Sequence, residues 1–297
     1  MPEAIRKVNV IGHLNPDTDS ICSAIAYAYL KNKLGNTDIY EARRAGSVNR
    51  ETAFALKHFG FAEPELITTV TPQIKDCEVQ KQDGIEAGMS LFAAWSRMRE
   101  TGTDTLCITD EQDNLGGLIA VKDIANANLD IFDTEVIAES ATSYANIVST
   151  LNGEMLLGDP EATVTEGSVR VGTTPEMMED TVKKGDLVLV TNRYETQQFA
   201  VECDASCIVV CCGAHVSPQV MASAKRHGCA IIATPYDTYA ASRLICMSIP
   251  VSATMHRDGI VKLSVNTSID DAKKTIASSR HRFFPVIDED GKYKGLV

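Results

Sequence analysis

The sequence predicts an α/β protein assembled from more than one compact part. Three observations carry this expectation. Strand-like and helix-like patterns alternate from Val8 to Phe59. One supersecondary unit occurs twice at a constant spacing of 178 residues. Between the two copies lies a region with an α/β pattern of its own. The length of 297 residues agrees, at about 150 residues per domain.

The first part opens with a short apolar strand, Val8 to Ile11. Ser20 to Lys33 then reads as a helix, because Ile21, Ala24, Ile25, Ala28 and Tyr29 recur at helical spacing. Gly35-Asn36 is expected to stop it. Asp38 to Ala42 is a second strand, and Glu51 to Phe59 a second helix ended by Gly60. Strand, helix, strand, helix in that order implies a parallel sheet covered by helices.

The repeat pairs Ser90-Leu-Phe-Ala-Ala94 with Ser268-Ile-Asp-Asp-Ala272, and Ile108-Thr-Asp-Glu111 with Val286-Ile-Asp-Glu289. It also pairs Gly117-Leu-Ile119 with Gly295-Leu-Val297. Constant spacing without a gap predicts two copies of one unit: a helix, a strand, an acidic turn and a second strand. The first copy runs on into Ala120-Val-Lys-Asp-Ile124, whereas the second stops at Val297 within a strand. The sequence is therefore expected to be part of a longer polypeptide. The region between the copies predicts strands at Leu187 to Val190, Cys207 to Cys212 and Ala230 to Ala233. A helix at Pro218 to His227 joins the last two.

Composition narrows the function classes. A net charge of −12 argues against nucleic acid as a partner, which calls for a basic face. A small anionic substrate stays possible where a metal ion supplies positive charge. Apolar runs are too short for a signal segment or a membrane span, so the expected place is the cytoplasm. There the nine cysteines would remain reduced. Cys203, Cys207, Cys211 and Cys212 lack the paired spacing of a structural zinc site, and Cys207 to Cys212 reads as a buried strand.

The segment with chemical content is Gly12-His-Leu-Asn-Pro-Asp-Thr-Asp-Ser20, at the end of the first strand and the start of the first helix. Open α/β sheets bind ligands at the carboxyl ends of their strands, and a helix start offers backbone donors to an anion. Asn15-Pro16 forces a turn that can aim His13, Asp17 and Asp19 at one place. Imidazole and carboxylate donors suit a divalent ion such as Mn²⁺ or Co²⁺. Local reading leaves a second account open: Asp17 or Asp19 as a helix cap, with Pro16 near the first helical turn.

The same segment resembles the first motif of the DHH phosphoesterase superfamily, in the form found in family II inorganic pyrophosphatases. Arg44-Ala-Gly-Ser-Val-Asn-Arg-Glu-Thr52, followed by Pro64, is similar to that family's next block. Residues 71 to 135 resemble one CBS unit and 248 to 297 a truncated second one. Residues 140 to 247 resemble a DRTGG domain, notably at Ala233-Thr-Pro-Tyr-Asp-Thr-Tyr239. The resemblance thus implies an N-terminal part of a DHH catalytic domain over 1 to 70, then CBS, DRTGG and incomplete CBS units. It implies hydrolysis of pyrophosphate by two Mn²⁺ or Co²⁺ ions, with Mg²⁺ accompanying the substrate. His13 and Asp17 match ligands of one metal and Asp19 a ligand of the other. The family's remaining ligands lie beyond the inserted region, so residues 1–297 alone are expected to be inactive.

For the CBS units, the resemblance implies regulation by AMP, ADP, ATP and diadenosine polyphosphates, and a homodimer formed through the CBS and DRTGG regions. Mono- and diphosphates would inhibit and diadenosine polyphosphates activate. Asp123 matches a ribose-contacting acid. Ala120 stands where the family usually has Ser or Thr. In Ser279-Arg-His-Arg-Phe-Phe-Pro285, Arg282 matches a phosphate-binding arginine and Phe284 an adenine-stacking ring, and Arg280 is expected among the nucleotide contacts. Two other readings stay open: another DHH phosphoesterase, and a nucleotide-sensing module without catalysis.

Overall fold

The computed structural model describes residues 6–35, 38–77, 79–129, 134–279 and 282–297. The chain divides into two compact units, one ending at Pro72 and one running from Gln73 to Val297.

In the first unit, β1 (Lys7–Ile11), β2 (Ile39–Arg44) and β3 (Glu65–Leu66) form a parallel sheet in that order. α1 (Thr18–Lys33) returns the chain from β1 to β2, and α2 (Arg50–His58) from β2 to β3. The inward face of α1 is Ser20, Ile21, Ala24 and Ala28; of the residues expected on it, Ile25 is half-buried and Tyr29 is exposed. The helix starts two residues earlier than expected because Asp17 accepts from Ser20 N–H and caps it. Asn49 caps α2 in the same way, through Thr52 N–H. Gly60, at φ +74°, ends α2 in a conformation that side chains resist. Tyr29, Phe59 and Phe61 stay exposed and line an apolar groove with Cys22, Ile25 and Leu56.

The second unit is organised by a pseudo-two-fold relation between the repeats. Copy one comprises α3 (Leu91–Thr101), β4 (Thr105–Thr109), β5 (Leu115–Ala120) and α4 (Val121–Leu129). Ser90 caps α3 and Ser268 caps the corresponding helix of copy two. Asp110 Oδ1 accepts from the N–H groups of Gln112 and Asn114, and Asp288 Oδ1 from those of Asp290 and Lys292. Asn114 and Lys292, equivalent positions 178 apart, face each other in an antiparallel bridge joined by Lys292 Nζ and Asn114 Oδ1.

The segments that precede the copies change places. Ile74 N–H donates to Thr267 O and Lys75 N–H to Val265 O, on the second copy. Leu91 N–H donates to Ile249 O and Val251 N–H to Met89 O, on the first. Gly117 and Gly295 admit these crossing segments. A Cβ on Gly117 would lie 3.0 Å from His256 O, and one on Gly295, at φ +147°, 2.6 Å from Gln80 O.

Between the copies stand α5 (Val136–Glu139), α6 (Tyr144–Thr150), β6 (Glu154–Leu157), β7 (Val169–Val171), α7 (Pro175–Met178), β8 (Leu187–Val190), α8 (Tyr194–Glu202), β9 (Cys207–Val210), α9 (Pro218–His227), β10 (Ala230–Ala233) and α10 (Thr238–Leu244). The sheet order is β6-β10-β9-β8-β7, parallel except for β6. β8 and β9 are buried on both faces, which is why they read as unbroken apolar runs. β9 ends at Val210 rather than Cys212, because Cys212 turns to φ +64°. Cys207 and Cys211 join one core cluster, and Cys203 packs against the other. β6 and β7 escape the periodicity argument because they are short and only partly buried.

Copy two follows as β11 (Leu263–Ser264), α11 (Ile269–Ser278), β12 (Pro285–Ile287) and β13 (Tyr293–Leu296). One core runs from copy one, through Leu91, Ile108 and Ile119, into the middle sheet at Leu187, Leu189 and Val209. Copy two keeps a separate small core of Ile74, Leu263, Ala272, Phe284 and Val286.

Asp186, 2% exposed, ties β7 to β8: its two oxygens accept from Ser168 N–H and Lys183 N–H. Asp186→Ala orphans the buried Ser168 N–H and frees the half-buried Lys183 N–H, and should destabilise this unit by about 2 kcal/mol. Urea unfolding of the variant measures it, and an unchanged midpoint would refute the role.

Candidate functional site

Two places bring chemistry-bearing side chains together, one in each unit. The first is the loop from Gly12 to Asp17 between β1 and α1. Gly12 lets the loop lie against the helix start: a Cβ there would fall 1.8 Å from Ser20 Oγ, a buried hydroxyl without a protein hydrogen-bond partner. The loop after β2 covers it from the other side, where a Cβ on Gly46 would sit 2.2 Å from Leu14 O. Arg44 steadies that covering loop by donating to Gly46 O and Pro64 O. Thr18 and Thr52 join the starts of the two helices through a 2.9 Å hydroxyl contact.

Within this loop His13 Nε2 lies 3.3 Å from Asp17 Oδ1, and both side chains are open to solvent. Asp19 departs from the expectation. Its Oδ1 accepts from Ser23 Oγ at 3.3 Å, one turn along α1, so the three side chains do not converge. Asp17 and Asp19 lie two residues apart at the helix start, which turns their side chains to different sides. Among the described residues no group of three or more His, Cys, Asp or Glu side chains could hold a metal ion. The two local readings therefore combine at Asp17, which is a helix cap and the neighbour of His13. The Ser20 N–H holds the Asp17 carboxyl below its ordinary range, and His13 adds to the effect. In donor type, an imidazole beside a carboxylate kept ionised fits a first-row divalent cation. His13 and Asp17 would hold one edge of it, leaving the other coordination positions open.

The second place is a cleft between the repeats, a cavity of about 640 Å³. Copy one lines it with Asp104, Thr105, Leu118, Ala120, Lys122 and Asp123, and copy two with Ile260, Val261, Arg282 and Phe283. Arg282 and Asp104 are equivalent in the repeat, as are Phe283 and Thr105, so the cleft is lined by matching positions from both sides. Asp123 Oδ2 accepts from Ala120 N–H at 2.8 Å, and Oδ1 lies 2.9 Å from His256 Nε2.

Of the residues singled out in the sequence, Asp123 and Arg282 line this cleft. Arg280 falls outside the described residues. Phe284 is corrected: it is 1% exposed in the core of copy two, against Ile74, Leu263 and Val286. Phe283, one residue earlier, is the ring at the cavity wall. The reason is strand alternation, which puts Phe284 on the same face as Val286 and Phe283 on the other. The repeat contained this signal, since Phe284 is equivalent to Leu106, itself fully buried. Lys122, His256 and Phe283 are cleft residues that sequence reasoning missed. His256 reaches the cleft only through the crossing of the leading segments.

A DRTGG domain model matches residues 146–248 and a CBS domain model residues 251–297. The cobalt-dependent inorganic pyrophosphatase of Clostridium perfringens is 34% identical over 291 residues, covering 98% of this chain and 53% of that protein. A crystal structure of the CBS and DRTGG domains of the regulatory region of Clostridium perfringens pyrophosphatase, complexed with the activator diadenosine tetraphosphate, superposes with a TM-score of 0.71. Its identity is 31%, over 76% of this chain and 99% of that one.

The chain belongs to the CBS- and DRTGG-containing family II inorganic pyrophosphatases.

A probable manganese-dependent inorganic pyrophosphatase of Thermotoga maritima is a further member, 26% identical over 99% of this chain and 54% of its own length. The chain spans about half the length of the curated relatives it matches. Among its described residues, no helix is long and apolar enough to cross a membrane.

Two outcomes follow for this family member. Phe284→Ala should destabilise copy two by about 3–5 kcal/mol, whereas Phe283→Ala, which removes a half-buried ring resting on Cys107, Tyr293 and Leu296, should cost clearly less stability and weaken ligand binding in the cleft. Equal unfolding temperatures for the two variants would contradict the assignment. The depressed carboxyl of Asp17 lends its stabilisation to α1 above the ordinary carboxylate range, near 3.9, and loses it only as the pH falls through the lowered value. Carboxyl NMR titration should place the Asp17 midpoint below that range, and a midpoint at or above it would refute the cap.

Proposed function

We propose that this chain is the nucleotide-controlled part of a metal-dependent inorganic pyrophosphatase, together with the first segment of its catalytic domain. The cleft between the repeats carries this reading. It offers a carboxylate for ribose hydroxyls in Asp123, cations for phosphate in Lys122 and Arg282, and the Phe283 ring for a base. The similar regulatory region from Clostridium perfringens was crystallised with diadenosine tetraphosphate. Adenine nucleotides, including AMP, ADP, ATP and diadenosine polyphosphates, are the proposed ligands. Control works by linkage, as a nucleotide that prefers one conformation shifts the active fraction by its differential affinity.

The catalytic share of the chain is its first loop. His13 and Asp17 are proposed to hold one Mn²⁺ or Co²⁺ and Asp19 to serve the second, on the opposite side of the helix start. Divalent ions in such a site lower the pKa of bound water and neutralise phosphate charge. The work left to these residues is to present nitrogen and oxygen donors in a fixed orientation. The Asp17 cap and the Gly12 and Gly46 contacts maintain that orientation. Sensing without turnover is the reading favoured for residues 1–297 taken alone, because the described residues bring only His13 and Asp17 together. The boundaries 1–70, 71–135, 140–247 and 248–297 belong to this reading. So do a homodimer through the CBS and DRTGG regions and a cytoplasmic location.

Calorimetric titration of residues 1–297 with AMP should show one class of binding that Arg282→Ala weakens by about tenfold or more. The same chain should release no phosphate from pyrophosphate with Mn²⁺ present. Absence of AMP binding would refute the sensing role, and rapid turnover would refute the division of labour.

A further inference from the structure

Asp123 has both carboxylate oxygens engaged. Oδ2 holds the start of α4 through Ala120 N–H, and Oδ1 faces His256 Nε2 at 2.9 Å. The Asp123 side chain is 11% exposed and His256 is 67% exposed, so the imidazole lies between the carboxylate and solvent. His256 also lines the cavity with Arg282 and Phe283. Its backbone is held independently of its side chain: His256 N–H donates to Leu118 O at 2.8 Å, and Leu118 N–H donates to His256 O at 2.9 Å. The ring can therefore leave Asp123 by rotation about its own side-chain bonds while the backbone pairing stays in place.

A ribose cis-diol brings two hydroxyl donors, and a carboxylate accepts them best with both oxygens available. Oδ2 is committed to the helix start, so the diol and the imidazole compete for Oδ1. We propose that His256 is a latch on the ribose-recognising carboxylate: it occupies Asp123 in the empty cleft and is displaced when a nucleoside with a free cis-diol enters. The proposal rests on the nucleotide reading of this cleft. It makes His256 a determinant of affinity and of ribose selectivity, set by a contact between the two repeats. Entry of a nucleotide therefore breaks one side-chain bond across the pseudo-two-fold while the backbone bridge remains.

The test compares AMP with 2′,3′-dideoxy-AMP by calorimetry on the 297-residue chain and its His256→Ala variant. Removing the latch should tighten AMP by about threefold to tenfold and leave the dideoxy compound unchanged, since only the diol competes for Oδ1. Equal tightening of both ligands, no change with AMP, or weaker AMP binding would each overturn the latch. Failure of the unaltered chain and the variant alike to bind AMP would overturn the nucleotide reading and the latch with it. A readout on the unaltered chain guards against a variant that does not fold. The His256 imidazole NMR signal should shift on adding AMP and stay in place on adding the dideoxy compound, and the same shift with both would refute the displacement.

Discussion

The antiparallel contact of Asn114 with Lys292 fixes the second unit. When equivalent positions of two copies meet in an antiparallel bridge, the copies are related by a pseudo-two-fold axis, and backbone contacts between them can recur in pairs. The crossing of the leading segments is one such pair, with Ile74 and Lys75 on copy two and Ile249 and Val251 on copy one. The cleft is another consequence. Its walls are Asp104 and Thr105 from one side and Arg282 and Phe283 from the other. An exchange of identical parts left an acid on one wall and a guanidinium on the other, because the sequence diverged while the backbone relation did not.

Under the proposed nucleotide control, the same relation gives the cleft a route to the rest of the unit. Copy one shares a continuous core with the middle sheet, whereas copy two keeps a small core of its own. A ligand that grips both copies therefore bridges an element continuous with the middle sheet and one with a small core of its own, the two joined where Cys107 packs with Tyr293 and Leu296. Free energy gained by closing on the ligand can appear as a shift of copy two relative to copy one, which is the form of differential contact that allosteric control requires. His256 sits at this seam, with its backbone on one copy's strand and its side chain on that copy's acid.

The first unit follows a separate logic. Its sheet, caps and glycine contacts position a loop bearing an imidazole and two carboxylates, but only His13 and Asp17 approach each other. The helix start performs two tasks at Asp17: the N–H of Ser20 both ends the loop and keeps the carboxyl ionised. A residue that caps a helix is held by the fold before any ligand binds, and this preorganises the donor at little further entropic cost.

Much of this was legible in the sequence because it is written in short-range periodicity. Helical spacing found α1, α2 and α9, unbroken apolar runs found β8 and β10, and constant repeat spacing paired the two copies. Ser90 with Ser268 and Asp110 with Asp288 are local hydrogen-bond formers, so their roles survive any change of surroundings. Alternation would even have placed Phe283 at the cleft and Phe284 in the core, had the repeat been read residue by residue. What only the tertiary structure decided depends on contacts between segments far apart in the chain: the crossing of the leaders, the orientation of Asp19 away from His13, and the pairing of His256 with Asp123 across 133 residues. Periodicity records which face of an element is buried, but not which distant segment buries it, and that choice is made by packing alone.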